Sequence, residues 1–363
     1  MKTILYFVSG HGFGHAVRSI QIMEELHRLG EFRFWIKSNA PSWLFQDSLD
    51  FEHKYTYWDL EVHPIQSDSL NVLWDETLKR GLDLFQNRDS IIQKEIEDIQ
   101  TRGIDLVVSD IPPLALEAAY RAGIPGVCIA NFTWDWIYSA QKSGLSGFEK
   151  LSELIAESYS KTTLALRTPP MTDMPAFPVS EEIPVIGKLC AHTQSEVREN
   201  LGIPSDRPVV LLSFGGYGVG GIQWDNLQKL KNYFFIKLEK QESRTGNVYS
   251  FPRNRVCHSD LVRAANLVVT KPGYGICAEC MINQTPMIYT SRDDYPETPV
   301  LIREMAHRIP MVEIGNDRLR SMDIADSIET ALNIKWTPKP ISGNGATVAA
   351  KKIIDLMREL VEC

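Results

Sequence analysis

Short apolar runs alternate with longer amphipathic segments along the first half of the chain. The strand candidates are TILYFV, FRFWIK, IDLVVS and GVCIA, and the helix candidates are residues 15–29, residues 73–100 and LALEAAYRAG. Alternation of short buried runs with helical periodicity is typical of a parallel sheet covered by helices. The pattern therefore predicts an α/β domain in the first half.

The same alternation begins again at PVVLLSF and continues to IPMVEI. Between the halves lies a segment with five prolines, which disfavour helix and suit an extended connector. We expect an N-terminal α/β domain over 1–166, a linker over 167–187 and a second domain over 188–345. The periodic residues 346–363 predict a helix that either caps the second domain or packs on the first.

The amino-acid composition limits the kinds of molecule that the protein is expected to bind and the compartment in which we expect it. A net charge of -8 without a long basic run disfavours a nucleic-acid surface, although a local phosphate pocket stays open. Six scattered cysteines favour a reducing compartment, and neither a leader peptide nor a transmembrane run is visible. We therefore expect a cytoplasmic protein, with peripheral membrane contact left open.

A glycine-rich turn, SGHGFGHAVRS, directly follows the first predicted strand. Such a turn directs backbone N–H groups toward a ligand at the sheet edge. His15 stands where a dinucleotide G-x-G-x-x-G would need glycine, so that motif is disfavoured. A zinc pair of His11 and His15 is disfavoured as well, because Gly12 and Gly14 oppose helix between them. Proton transfer by a histidine, or a purely structural cap, remains.

Asp110 ends the strand candidate in VVSDIPP, at the same sheet edge as the glycine turn. A carboxylate bonded to the histidine would fix its tautomer and stabilise the imidazolium. The alternative is that Asp110 only caps the following helix. At the next strand end, NFTWDWIYS offers Asn131, Trp134 and Asp135 for hydrogen bonding or stacking, although isolated aromatic residues usually belong to the core.

The second half carries its own glycine clusters. In LLSFGGYGVGG, Ser213, Gly215 and Gly216 suit a phosphate cradle. In VVTKPGYGICAEC, a lysine and a helix N-terminus suit phosphates, and Glu279 has the reach to accept ribose hydroxyls or simply interacts with the helix dipole. The carboxylates of SRDDYPET suit sugar hydroxyls or form a solvated loop.

Together the blocks SGHGFGHAVR, VVSDIPPLALEAAYRAGI, VCIANFTWDWIY, KPGYG and RDDYPETP resemble the glycosyltransferase-like N-terminal domain of plant L-arabinokinase. The wider resemblance is to the GT-B glycosyltransferases that use nucleotide sugars, including the N-acetylglucosaminyltransferase of peptidoglycan synthesis. It implies an α/β fold of two Rossmann-like domains facing across a cleft. Kinase activity is not expected, because the resemblance does not include the kinase half of arabinokinase.

The resemblance also implies roles for the residues. His15, or alternatively His11, is the expected general base, and Asp110 is its expected partner. The donor-site candidates are Ser213, Gly215, Gly216, Lys271, Gly273, Gly275, Glu279, Asp293 and Glu297. The acceptor-site candidates are His11, Gly12, Gly14, Asn131, Trp134 and Asp135.

The implied reaction is inverting transfer of a sugar from a nucleotide diphosphate to an acceptor hydroxyl, and the expected donor is uridine-linked. No D-x-D motif occurs, so we expect no metal and no cofactor, with Lys271 and N–H groups neutralising the leaving group. The alternatives are a nucleotide-sugar hydrolase or epimerase, and a sugar-nucleotide sensor without catalysis. The sequence leaves the donor sugar and the acceptor open.

Overall fold

The computed structural model describes residues 1–141, 143–216, 218–252, 256–291 and 295–362. The described residues form two α/β domains, and each domain contains a sheet of seven described strands. Asp293, one of the expected donor-site residues, lies outside the described residues.

The N-terminal domain has a fully parallel sheet in the order β3-β2-β1-β4-β5-β6-β7. Its strands are β1 (Lys2–Val8), β2 (Phe32–Ser38), β3 (His53–Tyr57), β4 (Leu106–Asp110), β5 (Gly126–Ala130), β6 (Leu164–Arg167) and β7 (Ser180–Glu182). Its helices are α1 (Phe13–Leu29), α2 (Trp43–Gln46), α3 (Trp74–Gln86), α4 (Arg88–Arg102), α5 (Pro113–Arg121), α6 (Trp134–Ala140) and α7 (Phe148–Tyr159).

The sheet of this domain is buried on both faces. Along β1, Leu5 and Phe7 belong to one hydrophobic core, while Ile4, Tyr6 and Val8 belong to the core on the opposite face. Successive side chains of a strand point to opposite faces, so a strand covered on both sides must be apolar at every position. This is why the continuous apolar run correctly predicted the strand.

The C-terminal domain repeats the architecture in the order β10-β11-β9-β8-β12-β13-β14, where only the described pair β10 and β11 is antiparallel. Its strands are β8 (Val209–Ser213), β9 (Phe234–Glu239), β10 (Ser243–Thr245), β11 (Val248–Pro252), β12 (Leu267–Thr270), β13 (Met287–Tyr289) and β14 (Met311–Glu313). Its helices are α8 (Gln194–Leu201), a 3-10 helix (Trp224–Lys229), α9 (His258–Ala264), α10 (Tyr274–Asn283), α11 (Glu297–Ala306), α12 (Asn316–Ser321) and α13 (Ala325–Asn333).

Three segments differ from the sequence-based expectation. The helix expected over 73–100 is two helices that meet at Asn87, whose side chain bonds back to the carbonyl of Asp83 at 2.9 Å. The first helix begins at Phe13, so Gly14 is helical. The segment 167–187 is extended, but it contributes β7 to the N-terminal sheet; β7 has the exposed sequence SEE and therefore no hydrophobic pattern to predict it.

The last helix, α14 (Gly345–Glu362), packs on the N-terminal domain against α1. Its buried face carries Ala349, Ala350 and Ile353, which share a core with Met23 of α1 and with strand residues of the first sheet. The small alanines let the two helix backbones approach closely. The C-terminal helix therefore ties the second half of the chain to the first domain.

The two domains meet at the N-termini of α1 and α10. Gly12 precedes α1 with a φ of 83°, a conformation that favours glycine. A Cβ atom on Gly14 would lie 3.5 Å from the backbone nitrogen of Gly275, so the two helix starts are nearly in contact. The positive ends of two helix dipoles thus lie side by side where the two domains meet.

Candidate functional site

His15 and Asp110 lie in direct contact at the carboxyl edge of the first sheet. Nδ1 of His15 is 2.8 Å from Oδ1 of Asp110. The pairing follows from topology, because β4 lies beside β1 with Asp110 opposite Val8, and α1 begins just beyond β1. If Nδ1 carries the proton and donates it to Asp110, Nε2 keeps the lone pair that a general base needs.

Asp110 is fully buried and has two further partners on α1. Arg18 donates from Nε to Oδ2 at 2.7 Å and from Nη2 to Oδ1, while Ser19 donates its hydroxyl at 2.9 Å. Burial by itself raises the pKa of Asp110, but Arg18 and His15 overcome that effect and hold the pKa below its usual value. Asp110 is therefore a carboxylate at neutral pH.

Arg18, which the sequence did not single out, connects the dyad to the second domain. Its Nη1 donates to Oδ1 of Asn131 at 2.6 Å, and its guanidinium lies 5.0 Å from the ring centre of Tyr274. The amide of Asn131 in turn donates to Oε1 of Glu297 at 2.8 Å. Asn131 thus bridges the two domains, and its expected contact with an acceptor stays a prediction.

His11 lies apart from the dyad, in an aromatic cluster. Its Nε2 is 3.2 Å from the hydroxyl of Tyr295, a residue of the second domain. Its ring meets the indole of Trp134 edge-on at 5.2 Å between centres. Because Asp110 orients His15 and not His11, the geometry favours His15 as the base.

Two acceptor-site candidates are buried more deeply than expected. Trp134 is fully buried and donates its indole N–H to Glu61 at 3.1 Å, so it is not the exposed stacking surface that the sequence suggested. Asp135 is also buried, and burial raises the pKa of its carboxyl group. Its backbone carbonyl accepts a hydrogen bond from Ser152 of α7 at 2.8 Å, which ties α6 to the domain core.

On the donor side, Ser213 and Glu279 are joined by a residue that the sequence reasoning missed. The hydroxyl of Ser213 is 2.8 Å from Nε2 of His258, and Nδ1 of His258 contacts the carboxylate of Glu279. His258 opens the short helix α9, and an isolated histidine in VCHSD carries no motif to reveal it. The chain Ser213–His258–Glu279 therefore forms one polar wall of the second domain.

The glycines of the donor side have different tasks. Gly215 has a φ of 73°, which suits a tight turn. A Cβ on Gly216 would lie 2.6 Å from the ring of Phe13, so this glycine lets the loop pack on the first domain. The ammonium group of Lys271 lies beside Gly273, which caps α10. Lys271, Gly273 and Gly275 thus surround a helix N-terminus of the kind that binds phosphate.

Two Rossmann-like domains that meet in this way define the GT-B fold class. The comparisons agree with that class. Residues 2–143 match a family model described as Glycosyl transferase family 1.

Within the described residues, no helix is both long and apolar enough to cross a membrane.

Two curated relatives match most of the chain. It is 31% identical over 306 residues to L-arabinokinase of Arabidopsis thaliana, covering 82% of this chain and 29% of that protein. It is 26% identical over 290 residues to an uncharacterized glycosyltransferase of Methanopyrus kandleri, covering 76% of this chain and 82% of that protein. The chain thus spans well under two thirds of the first relative.

Solved structures of low sequence identity share the whole fold. The glycotransferase of kitacinnamycin has a TM-score of 0.62 at 14% identity, covering 97% of this chain and 98% of that one. Arabidopsis thaliana UGT89C1 complexed with UDP-L-rhamnose has a TM-score of 0.60 at 13% identity, covering 98% and 95%. Acinetobacter baumannii MurG has a TM-score of 0.55 at 12% identity, covering 99% and 100%. The resemblance is confirmed at the level of the fold, which this chain shares with these solved glycosyltransferases over nearly its whole length.

Proposed function

We propose that the protein transfers a sugar from a UDP-linked donor to an acceptor hydroxyl, with inversion at the anomeric carbon. The observation that carries the proposal is the 2.8 Å contact between His15 and buried Asp110, at the cleft where the second domain presents α10. A base on one domain and a phosphate-binding helix start on the other are the two halves that such a reaction needs.

In the proposed mechanism, Nε2 of His15 takes the proton of the acceptor hydroxyl. The oxygen then forms a bond to the anomeric carbon while the bond to the diphosphate breaks, and this single displacement inverts the configuration. Asp110 stabilises the imidazolium that results. A positioned base of this kind contributes roughly 10²- to 10⁴-fold in rate.

The departing diphosphate is proposed to rest on the N-terminus of α10. Its charge is met by the N–H groups near Gly275 and by the ammonium group of Lys271, so no divalent ion is required. Glu279, held by His258, accepts the ribose hydroxyls. A uridine donor is supported by the fold relatives, one complexed with UDP-L-rhamnose and another with UDP-2fluoro-glucose. Reaction in the cytoplasm remains a prediction.

The test is a screen of UDP-sugars with and without acceptors, with and without a chelator. We expect acceptor-dependent release of UDP that survives chelation and a product of inverted configuration by NMR. His15→Gln should lose at least a hundredfold in kcat, whereas His27→Gln, an exposed position on the same helix, should not. Equal release of free sugar without an acceptor would indicate a hydrolase, and UDP binding without turnover would indicate a sensor.

A further inference from the structure

Asn131 lies fully buried between the two domains, and the direction of its two hydrogen bonds is fixed by its neighbours. Its side-chain oxygen accepts from Nη1 of Arg18 at 2.6 Å, and its side-chain nitrogen donates to Oε1 of Glu297 at 2.8 Å. A guanidinium can only donate, and a carboxylate can only accept. Asn131 therefore satisfies both neighbours in one orientation only, because the opposite orientation would place its N–H groups against Arg18 and its oxygen against Glu297.

Arg18 divides its donors between Asn131 and the carboxylate of the dyad. While Nη1 faces Asn131, Nε and Nη2 face the two oxygens of Asp110. A guanidinium is planar and rigid, so the position of one nitrogen restricts the positions of the other two. The guanidinium also lies over the ring of Tyr274, 5.0 Å from its centre. Asn131 thus helps to fix the group that holds Asp110.

Asp110 passes this constraint to the proposed base. Its Oδ1 lies 2.8 Å from Nδ1 of His15, and the same oxygen accepts from Nη2 of Arg18. The hydrogen bonds are continuous from one domain to the other, and we call their members the interdomain network: Glu297, Asn131, Arg18, Asp110 and His15. All five side chains are buried, so a partner that is lost inside the network is costly to replace.

Charge strengthens the link between the domains. Burial by itself would lower the pKa of Arg18, but Asp110 and, more weakly, Glu297 raise it above its usual value. Arg18 therefore keeps its charge and all its donors although it is buried. Glu297 acts on this guanidinium electrostatically as well as through the amide of Asn131.

The two domains also have contacts outside the interdomain network. The hydroxyl of Ser69 donates to the backbone carbonyl of Phe214 at 3.0 Å, and the backbone N–H of Ser69 donates to the carbonyl of Gly218 at 3.1 Å. These bonds join the same two domains without a contact to the dyad. The effect of the network on His15 can therefore be measured separately from the docking of the domains.

We propose that Glu297 is a positioning residue for the general base. It fixes the amide of Asn131, which fixes Arg18. Arg18 and Asp110 in turn hold the imidazole of His15 with its proton on Nδ1 and its Nε2 toward the acceptor. The inference rests on the proposed function, because it takes His15 as the base, and it gives Glu297 a task in addition to the expected contact with the donor sugar.

The first test reverses the hydrogen bond between positions 131 and 297. Asn131→Asp places two carboxylates against each other, since neither has an N–H to donate. When Glu297→Gln is added, the glutamine amide donates to the new carboxylate, which still accepts from Arg18. We expect kcat to fall by about tenfold or more in Asn131→Asp and to return in the double variant to the level of Glu297→Gln alone. A double variant no more active than Asn131→Asp would overturn the inference.

The second test compares Glu297→Met with Ser69→Ala, which each remove one side-chain hydrogen bond between the domains. Activity is acceptor-dependent release of UDP with the best donor of the UDP-sugar screen. We expect Glu297→Met to lower kcat by about tenfold, Glu297→Gln to lose less because it keeps an oxygen for Asn131, and Ser69→Ala to stay within about twofold. Equal losses in Ser69→Ala and Glu297→Met would show that the bridge only holds the domains together, and would overturn the inference. Glu297→Met introduces no buried charge, so it decides the question if Asn131→Asp fails to fold.

Proton NMR of the imidazole groups gives a readout that needs no turnover. A proton held between Nδ1 of His15 and a buried carboxylate resonates far downfield, and its absence in His15→Gln assigns it. We expect this signal in the wild type and in Ser69→Ala, its loss in Asn131→Asp and Glu297→Met, and its return in the double variant. No signal in the wild type, or an unchanged signal in Asn131→Asp and Glu297→Met, would overturn the inference. If the signal behaves as expected but no UDP-sugar is turned over, the proposed function fails and the interdomain network stands.

Discussion

Removing the charge of Asp110 tests whether the dyad and Arg18 form a single unit. Asp110→Asn replaces the carboxylate that neutralises the Arg18 guanidinium, which is only 2% exposed, with an uncharged amide. Breaking a buried ion pair from one side costs about 3–5 kcal/mol of unfolding free energy. Arg18→Met should cost a similar amount, because it leaves the buried Asp110 carboxylate without its bidentate partner.

The double variant, Asp110→Asn with Arg18→Met, shows whether the two residues act as one network or make independent contributions to stability. When both charges are removed, no buried ion is left alone, and replacing a buried pair by uncharged side chains is often nearly neutral. We expect the double variant to lose at least ~2 kcal/mol less than the sum of the single variants. Urea unfolding followed by circular dichroism and tryptophan fluorescence gives all three values.

The three variants should rank differently in catalytic activity than in unfolding free energy. Asp110→Asn is expected to lower kcat by roughly 10²- to 10⁴-fold, because His15 loses the carboxylate that fixes its tautomer and stabilises its imidazolium. The double variant should recover stability without recovering activity, and Arg18→Met should lose less activity than Asp110→Asn. Additive unfolding energies would refute the network, and an active Asp110→Asn enzyme would refute the dyad.

Three further predictions concern the donor wall, the C-terminal helix and pH. His258→Phe should raise the dissociation constant for UDP by about tenfold in calorimetry, the equivalent of one lost hydrogen bond of about 1.4 kcal/mol, because Ser213 and Glu279 lose their common partner. Ile353→Ala should lower the unfolding free energy by about 2–5 kcal/mol in urea titration, since this fully buried side chain joins α14 to the first domain. The pKa of Glu61, raised to about 7 in the folded state from 4.5, gives stability that is complete below pH 4.5 and is lost as pH rises through 7. Wild type should therefore lose on the order of 3 kcal/mol relative to Glu61→Gln between those pH values, and parallel stability curves would contradict this.

The sequence predicted the sheet and the dyad for the same physical reason. A strand buried on both faces is apolar throughout, as in β1 and β4, so the strand ends are visible in the sequence. Polar residues that directly follow such strands must collect at one sheet edge when the strands are parallel and adjacent. His15 and Asp110, 95 residues apart, were paired on that argument and lie 2.8 Å apart.

The side chains that support the dyad could not be predicted from strand ends. Arg18 occupies an ordinary helical position, and its burial depends on Tyr274 and, through Asn131, on Glu297, which belong to the other domain. A pattern of neighbouring residues in the sequence cannot predict contacts between residues so far apart in the chain.

Glu61, His63 and Trp134 show a second limit of prediction from sequence. Glu61 and His63 lie in DLEVHPIQ, a connection without hydrophobic periodicity, so their burial cannot be read from the pattern. Trp134 follows a strand at the ligand edge, which made an exposed role plausible, but its indole turns inward to Glu61. Strand ends locate a residue at the cleft, whereas side-chain direction depends on packing.

One hydrogen-bond network connects the proposed base in the first domain with the proposed donor side in the second domain. Arg18 holds Asp110 with two donors and Asn131 with a third, and Asn131 reaches Glu297 of the second domain. The orientation of His15, set by Asp110, is therefore linked through buried bonds to a carboxylate beside the expected donor sugar. Because each buried bond is costly to leave unmade, the dyad is fully supported only when the two domains are docked as in this structure. The site thus belongs to the interface of the domains and to neither domain alone.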